Sequence, residues 1–342
     1  MTPDEAAAAT PPRAAPLVSV VMPTYNYARY VGDALRSLQA QTHARWECVV
    51  VDDGSTDDTE EVVAGFAARD ARIRYVRQEN RRQAAARNNG LRHCAGDYVQ
   101  FLDADDLLES RKLERQAADL EAHPEVDIVY GGARGFTSAG QSGEGAALDD
   151  SPLPAMPEAS GGGRELAPGL VRRNIMFVNS PLVRRRLIEE VGSFDERLPP
   201  AEDWDYWLRC ALKGARFQFV PEEGTLALVR THPVSSSRNR AVAYASLLRM
   251  RGKLAGLTDD AELLALNREL AAADEGYLGV EEAAAGRVLK GVLHLGRAAL
   301  RVRRARWRAK WLLCALSAPF VSPPTLRKLA TESITRRRAR TT

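Results

Sequence analysis

The sequence predicts an α/β protein, with a mixed, mainly parallel sheet flanked by helices and a helical C-terminal extension. Three observations predict it. Short β-branched runs alternate with segments of helical spacing over roughly the first 130 residues, the pattern of repeated strand–helix units. Three of those runs stop at polar, mostly Asp-rich clusters. After Asn239 the chain turns Ala- and Leu-rich, with helical spacing up to Pro319.

The elements follow in order. LVSVVM, Leu17 to Met22, reads as a buried strand ended by Pro23. Val31, Ala34, Leu35 and Leu38 give Tyr30 to Gln41 a helical face. Trp46 to Val51 is a second strand, stopped by Asp52-Asp53-Gly54-Ser55, with Ser55 or Thr56 expected to cap a helix over Asp58 to Ala68. Ile73 to Val76 is a strand, Gln83 to Cys94 a helix, and Tyr98 to Leu102 a strand ended by Asp103. Arg111 to Ala122 is a helix and Val126 to Tyr130 a strand.

From Thr137 to Gly169 the composition shifts to Gly, Ser, Ala, Pro and acids, which predicts a flexible loop or insertion. Beyond it, Phe177 to Val183 is extended, Arg184 to Val191 and Ala201 to Leu212 are helical, and Phe217 to Val220 and Thr225 to Val229 are strands. The expected organisation is a leader over 1–16, an α/β domain over 17–238 and a helical region over 239–342.

Composition bounds the function. No run of about 18 apolar residues occurs, so no spanning helix is expected. The leader lacks the apolar core of a signal peptide, which predicts a cytoplasmic protein. Cys48, Cys94, Cys210 and Cys314 are widely spaced and read as buried thiols. The net charge of +3 hides an asymmetry. Arg297 to Thr342 holds 13 Lys or Arg against one acid, a segment charge of +12, and the other 296 residues carry about −9. A basic tail on an acidic body predicts contact with an anionic surface.

In an open α/β sheet, ligands bind beyond the carboxyl ends of the strands. There the sequence presents Pro23-Thr24-Tyr25-Asn26, Asp52-Asp53-Gly54-Ser55 and Asp103-Ala104-Asp105-Asp106. Crowded carboxylates at buried strand ends repel one another. A divalent cation, Mg²⁺ or Mn²⁺, is the natural compensation, and it in turn suits a diphosphate. The competing reading makes these acids turn formers and caps. Neither G-x-G-x-x-G after the first strand nor a P-loop occurs, which removes the main support for a dinucleotide-dependent dehydrogenase or a P-loop NTPase.

Taken in order, VSVVMPTYNYARYVGDALRSLQAQTHARWECVVVDDGSTDDT, QAAARNNGL, GDYVQFLDADD, VGSFDERL, AEDWDYWLRCA and RTHPVSSS resemble the family 2 inverting glycosyltransferases of the GT-A fold. The resemblance runs from Val18 to Ser237, about two-thirds of the chain. It implies a nucleotide-diphospho-sugar transferase using a nucleoside-diphosphate sugar, UDP-linked by preference, and a hydroxyl of a glycan or lipid-linked acceptor. It places Thr24 and Tyr25 at the nucleobase, Asp53 on a uracil-type imide, Arg87 near the diphosphate, and Asp103 and Asp105 in the D-x-D motif. Asp105 is then a metal ligand, Asp103 a ribose or metal contact, and His232 a further metal ligand. Asp106 reads as a helix cap. Asp203 matches the general base, with Glu202 and Trp204 on the acceptor side.

Two rivals remain at this point: a non-catalytic nucleotide-sugar-binding protein of the same fold, and a metal-dependent nucleotidyltransferase. The first is opposed by the presence of Asp103, Asp105 and Asp203. The second would show a glycine-rich, basic phosphate loop, which PTYNYARY is not. In the tail, Arg301, Arg304, Arg308, Trp307 and Trp311 mix basic and aromatic residues at helical spacing. Residues 296–321 are therefore expected either to lie on the inner face of an anionic membrane or to pack on protein. Nucleic acid is not expected, since no reading motif is present.

Overall fold

A computed structural model describes residues 14–138, 148–151, 153, 155–221, 223–232 and 239–338. The leader over 1–16 falls almost wholly outside the described residues. The first half alternates as the periodicity requires: β1 (Val18–Thr24), α1 (Ala28–Gln39), β2 (Trp46–Asp52), α2 (Thr59–Ala67), β3 (Ile73–Arg77), α3 (Arg82–His93) and β4 (Tyr98–Phe101). Then come β5 (Leu107–Leu108), α4 (Lys112–Ala122), β6 (Ile128–Tyr130), β7 (Ala133–Ser138), β8 (Leu148–Ser151), β9 (Gly161–Gly162) and α5 (Gly163–Arg172). The α/β part closes with β10 (Pro181–Arg184), α6 (Arg185–Val191), α7 (Glu202–Leu212), β11 (Arg216–Phe219) and β12 (Ala227–Arg230).

Eight strands form one sheet in the order β3-β2-β1-β4-β10-β6-β11-β9, and four form a second in the order β5-β12-β7-β8. β1 runs parallel to both β2 and β4, whereas β10 is antiparallel to β4 and β6. The chain order reverses between β1 and β4, so a crevice opens at their carboxyl ends. Alternation along β1 feeds both faces of the sheet. Val20 and Met22 join Leu35, Leu38, Leu113 and Leu120 from α1 and α4 on one side. Val21 joins Phe101, Phe194, Tyr206 and Trp207 on the other.

Three local expectations are corrected. Neither Ser55 nor Thr56 caps α2; the Asp57 carboxylate accepts from the Thr59 amide and hydroxyl. Asp106 caps no helix, because β5 follows it and its carboxylate is buried against Asn179 and the Arg230 amide. Part of the expected loop over 137–169 has regular structure, with β8, β9 and the start of α5; residues 139–147 lie outside the described residues. The helix forms across Pro168 because Ala167, Leu170 and Val171 bury on the main core, while Glu165 reaches back to the Gly162 amide at 3.0 Å.

The C-terminal helices are α8 (Arg240–Lys253), α9 (Ala261–Ala284), α10 (Val288–Arg301), α11 (Ala305–Ser317) and α12 (Pro323–Arg338). They grip the α/β part through charged side chains. Lys253 donates to Asp205 of α7 at 2.7 Å and to Asp195 at 2.8 Å. Arg251 donates to the Val171 carbonyl at 2.9 Å and pairs with Asp274. α9 and α10 cross closely at glycines: a Cβ on Gly279 would sit 2.8 Å from the Gly291 carbonyl oxygen. Trp311 is fully buried, edge-on to Tyr277 and against Gly276. It is therefore a core residue and not an interfacial anchor. The tryptophan spacing alone did not reveal this, because a helix buried on one face and an interfacial helix share one periodicity.

Candidate active site

The crevice at the switch point is a cavity of about 660 Å³ lined by residues from the three polar strand ends and, opposite them, by Glu196, Pro199, Pro200, Glu202, Asn239 and Val242. The β2 end is shaped by Gly54, whose φ of +83° and close neighbours Asn80 and Gln78 leave no room for a side chain. Asp53 leaves that turn pointing at the loop before α3. Its carboxylate accepts from Gln78 Nε2 at 2.7 Å, the Arg81 amide at 2.8 Å and the Arg82 amide at 2.6 Å. Arg82 itself takes a left-handed φ of 72°, uncommon for a non-glycine residue. Asp53 thus clamps the loop as well as facing the pocket.

Asp52, next to it, is a structural carboxylate, held by the Tyr75 hydroxyl at 2.6 Å and the Ser55 amide at 2.7 Å. At the β1 end, Thr24 is buried and its hydroxyl has no hydrogen-bond partner among the described residues. Tyr25 is 46% exposed at the mouth, with its ring face available. Asn26 ties the two strand ends together, donating its amide to Ser55 and accepting from the Thr56 amide.

The β4 end carries three carboxylates in four residues. Asp105 faces His232 Nε2 at 2.9 Å, and the Tyr27 hydroxyl also bonds it. Burial, then the charges of Asp105 and Asp103, push the Tyr27 hydroxyl well up, so it serves as a donor. Burial and the same two neighbours raise Asp106. Asn179 holds this turn from beneath, accepting from the Asp103 amide at 2.9 Å and donating to Asp106.

Arg230 bonds the Asp105 carbonyl, and its ring contact with Tyr30 brings β12 against α1. Among the described residues no three His, Cys, Asp or Glu side chains converge as a metal cluster. Asp105 and His232 face each other, while Asp103 turns one carboxylate oxygen onto Arg87. That pair suits a divalent cation: a hard oxygen, an imidazole nitrogen and an excess of negative charge around them.

Arg87 is buried and bridges two carboxylates, donating to Asp103 Oδ1 at 2.7 Å and Glu202 Oε1 at 2.8 Å. Burial works against its charge, but Asp103 and Glu202 together hold the guanidinium firmly protonated. With both terminal nitrogens engaged, Arg87 joins the D-x-D turn to the start of α7.

Glu202 does line the pocket, and its Oε2 is buried without a hydrogen-bond partner among the described residues. Asp203 follows on the first turn of α7. Its carboxylate accepts from Asn174 Nδ2 at 2.9 Å and from the Trp204 amide at 2.7 Å. Burial, then the Glu202 charge, raise it to about 7, with Arg87 opposing. Trp204 is not at the pocket. Its indole N–H donates to the Leu170 carbonyl and its ring lies under Arg251. Asn174, Asn179 and Arg230 were not anticipated, since lone residues on irregular segments carry no periodic signal.

The profile of the family described as Glycosyl transferase family 2 matches residues 19–150. The chain is 33% identical over 207 residues to the putative glycosyltransferase EpsE of Bacillus subtilis (strain 168), covering 59% of this chain and 69% of that protein. This chain belongs to glycosyl transferase family 2. In two other relatives the match spans 35% and 62% of their length.

Among solved structures, this family 2 enzyme is similar to S. aureus TarS 1-349 in complex with UDP-GlcNAc. The TM-score is 0.61 at 20% identity, over 94% of this chain and 92% of that one. It is also similar to the mannosyltransferase PcManGT from Pyrobaculum calidifontis in complex with GDP-Man and Mn²⁺. There the TM-score is 0.56 at 22% identity, over 93% and 85%. Both likenesses concern the fold: the chain has the GT-A fold, a mainly parallel sheet followed by a helical region.

Proposed function

We propose that this glycosyltransferase moves a sugar from a nucleoside-diphosphate sugar, with UDP the favoured nucleotide, to a hydroxyl of a glycan or lipid-linked acceptor in cell-surface polysaccharide synthesis. The reaction inverts the anomeric centre and takes place on the cytoplasmic side. The observation that carries this reading is the Arg87 bridge, which ties the D-x-D turn to the Glu202–Asp203 start of α7 at one pocket. The TarS complex with UDP-GlcNAc supports the nucleotide class, and the Mn²⁺ of PcManGT supports a metal in this fold.

Tyr25 stacks on the base, the Thr24 hydroxyl and Asp53 meet its polar edge, and Asp103 meets the ribose. Asp105 and His232 would hold a Mg²⁺ or Mn²⁺ ion, which when bound neutralises charge on the departing diphosphate. Asp203 accepts the proton of the acceptor hydroxyl as its oxygen bonds to C1 and the C1–O bond to the diphosphate breaks. A carboxylate raised to about 7 has the basicity this transfer needs near neutrality. Glu202, with one oxygen on Arg87 and one unpartnered, orients the incoming hydroxyl.

The test is a panel of nucleotide sugars with and without Mn²⁺, read by nucleoside diphosphate release. Release with one donor, dependent on metal, is expected. Absence of both binding and turnover with every donor would favour the non-catalytic reading and overturn the enzyme assignment for this site.

A further inference from the structure

The C-terminal helices carry a surface that the transfer reaction does not use. Ten large apolar side chains are exposed among the described residues, and seven of them lie between 289 and 320. On α10, Leu289, Leu293 and Leu300 fall on one line along the helix. Leu289 and Leu300 are each 83% exposed. The opposite face of α10 is already buried, with Leu295 and Ala298 packed in the C-terminal core, so the leucine line is surplus to folding. α11 adds Leu312 and Leu316, and Phe320 beyond its end is 87% exposed. A concentration of this kind marks an interaction surface.

Charge selects the occupant. From Val288 to Thr331 the sequence has ten Lys or Arg and no Asp or Glu. Half of those ten cations are paired with α9 carboxylates, namely Lys290, Arg297, Arg301, Arg304 and Arg327. Arg303, in the turn between α10 and α11, and Arg306, on the first turn of α11, are exposed and have no carboxylate partner among the described residues. A second copy of the chain docked by two-fold symmetry would bring two such basic segments together. An anionic lipid surface complements both features at once, taking the leucines into its apolar boundary and the arginines at its headgroups. No helix among the described residues is long and apolar enough to cross a membrane, so the contact is interfacial.

We infer that the outer faces of α10 and α11 dock this enzyme on an anionic membrane through exposed leucines rimmed by arginine. This replaces the tryptophan-anchored contact that the sequence suggested, since Trp311 is buried. The inference is independent of the donor and base assignments: vesicle binding requires no turnover, so either can fail alone.

The experiment is co-sedimentation of the full chain with phosphatidylglycerol-containing and pure phosphatidylcholine vesicles, with light scattering in parallel. Wild type is expected to bind the anionic vesicles and to release as salt rises. Leu289→Ser/Leu293→Ser/Leu300→Ser is expected to weaken binding at least tenfold, and Arg303→Gln/Arg306→Gln roughly tenfold. Both keep nucleoside diphosphate release in solution unchanged, which reports an intact fold. If the triple variant misfolds, Leu300→Ser alone, at a fully solvated site, is expected to weaken binding by several fold. Equal binding by wild type and leucine variants, or no binding to anionic vesicles, overturns the inference. So does a wild-type dimer that the leucine variants dissociate without any vesicle binding, which makes a second copy the occupant.

Discussion

The donor wall of the pocket comes from residues 23 to 103, while the facing wall gathers residues from 196 to 242. On the donor side the polar groups are strand ends and the loop that opens α3, fixed by a parallel sheet and by carboxylates that clamp backbone amides, as Asp53 does. On the facing side they are single side chains carried by a helix start and by irregular segments, held from across the pocket, Glu202 by Arg87 and Glu196 by Arg81 and Asn88. Arg87 is the joint between the two. Strand ends fixed by a sheet, facing side chains on a separate helix, let one fold vary one wall without disturbing the other.

Substitutions at four positions set the two walls against each other. The largest effect is expected on the base side: Asp203→Asn lowers kcat by about 10²–10⁴-fold while donor KM stays within about threefold. Steady-state kinetics with saturating acceptor checks both halves of that statement. A donor KM that rises with the loss of kcat would merge the two walls.

Arg87→Met acts on the joint. It strands Glu202 as a buried and Asp103 as a half-buried unpaired carboxylate and is expected to cost about 3 kcal/mol of stability, read by urea denaturation. Arg87→Lys rescues little, because an ammonium on a flexible stem does not reproduce the fork that reaches both carboxylates. A change under about 1 kcal/mol for Arg87→Met would mean the bridge is not structural.

Tyr25→Ala probes the donor wall. Loss of base stacking is expected to weaken nucleotide binding by roughly 1–3 kcal/mol, measured by calorimetry with the nucleoside diphosphate, with kcat nearly unchanged. The smallest effect is expected from Asn174→Ala. Removing a donor to the ionised carboxylate raises its pKa further, so the acid limb of the rate profile moves upward by less than about one pH unit.

Most of the donor wall was legible in the sequence. VSVVM and ECVVV must be buried strands, and the polar residues after them must then crowd one edge. Much of the facing side was not. Trp204 sits in an aromatic-rich helix, and sequence does not say which ring faces a pocket and which meets Leu170 and Arg251. Arg87 has the same one-letter appearance whether it greets a diphosphate or bridges two acids. The Gly- and Pro-rich stretch before Gly169 hid the start of α5, because burial of Ala167, Leu170 and Val171 outweighs local propensity. The basic tail was visible, but the face it presents depends on which side of α11 packs against α9.

The central claim is that Asp203 is the base that takes the acceptor proton. The most direct measurement is kcat/KM for sugar transfer by the wild-type enzyme across pH 5 to 9 at saturating metal. Asp203 works ionised, and burial with the Glu202 charge raises it to about 7. The account therefore predicts activity that falls as pH drops through about 7, with unit slope, a limb that Asp203→Asn abolishes along with most of the rate. A profile flat down to pH 5, or one whose acid limb survives in Asp203→Asn at full activity, would contradict it.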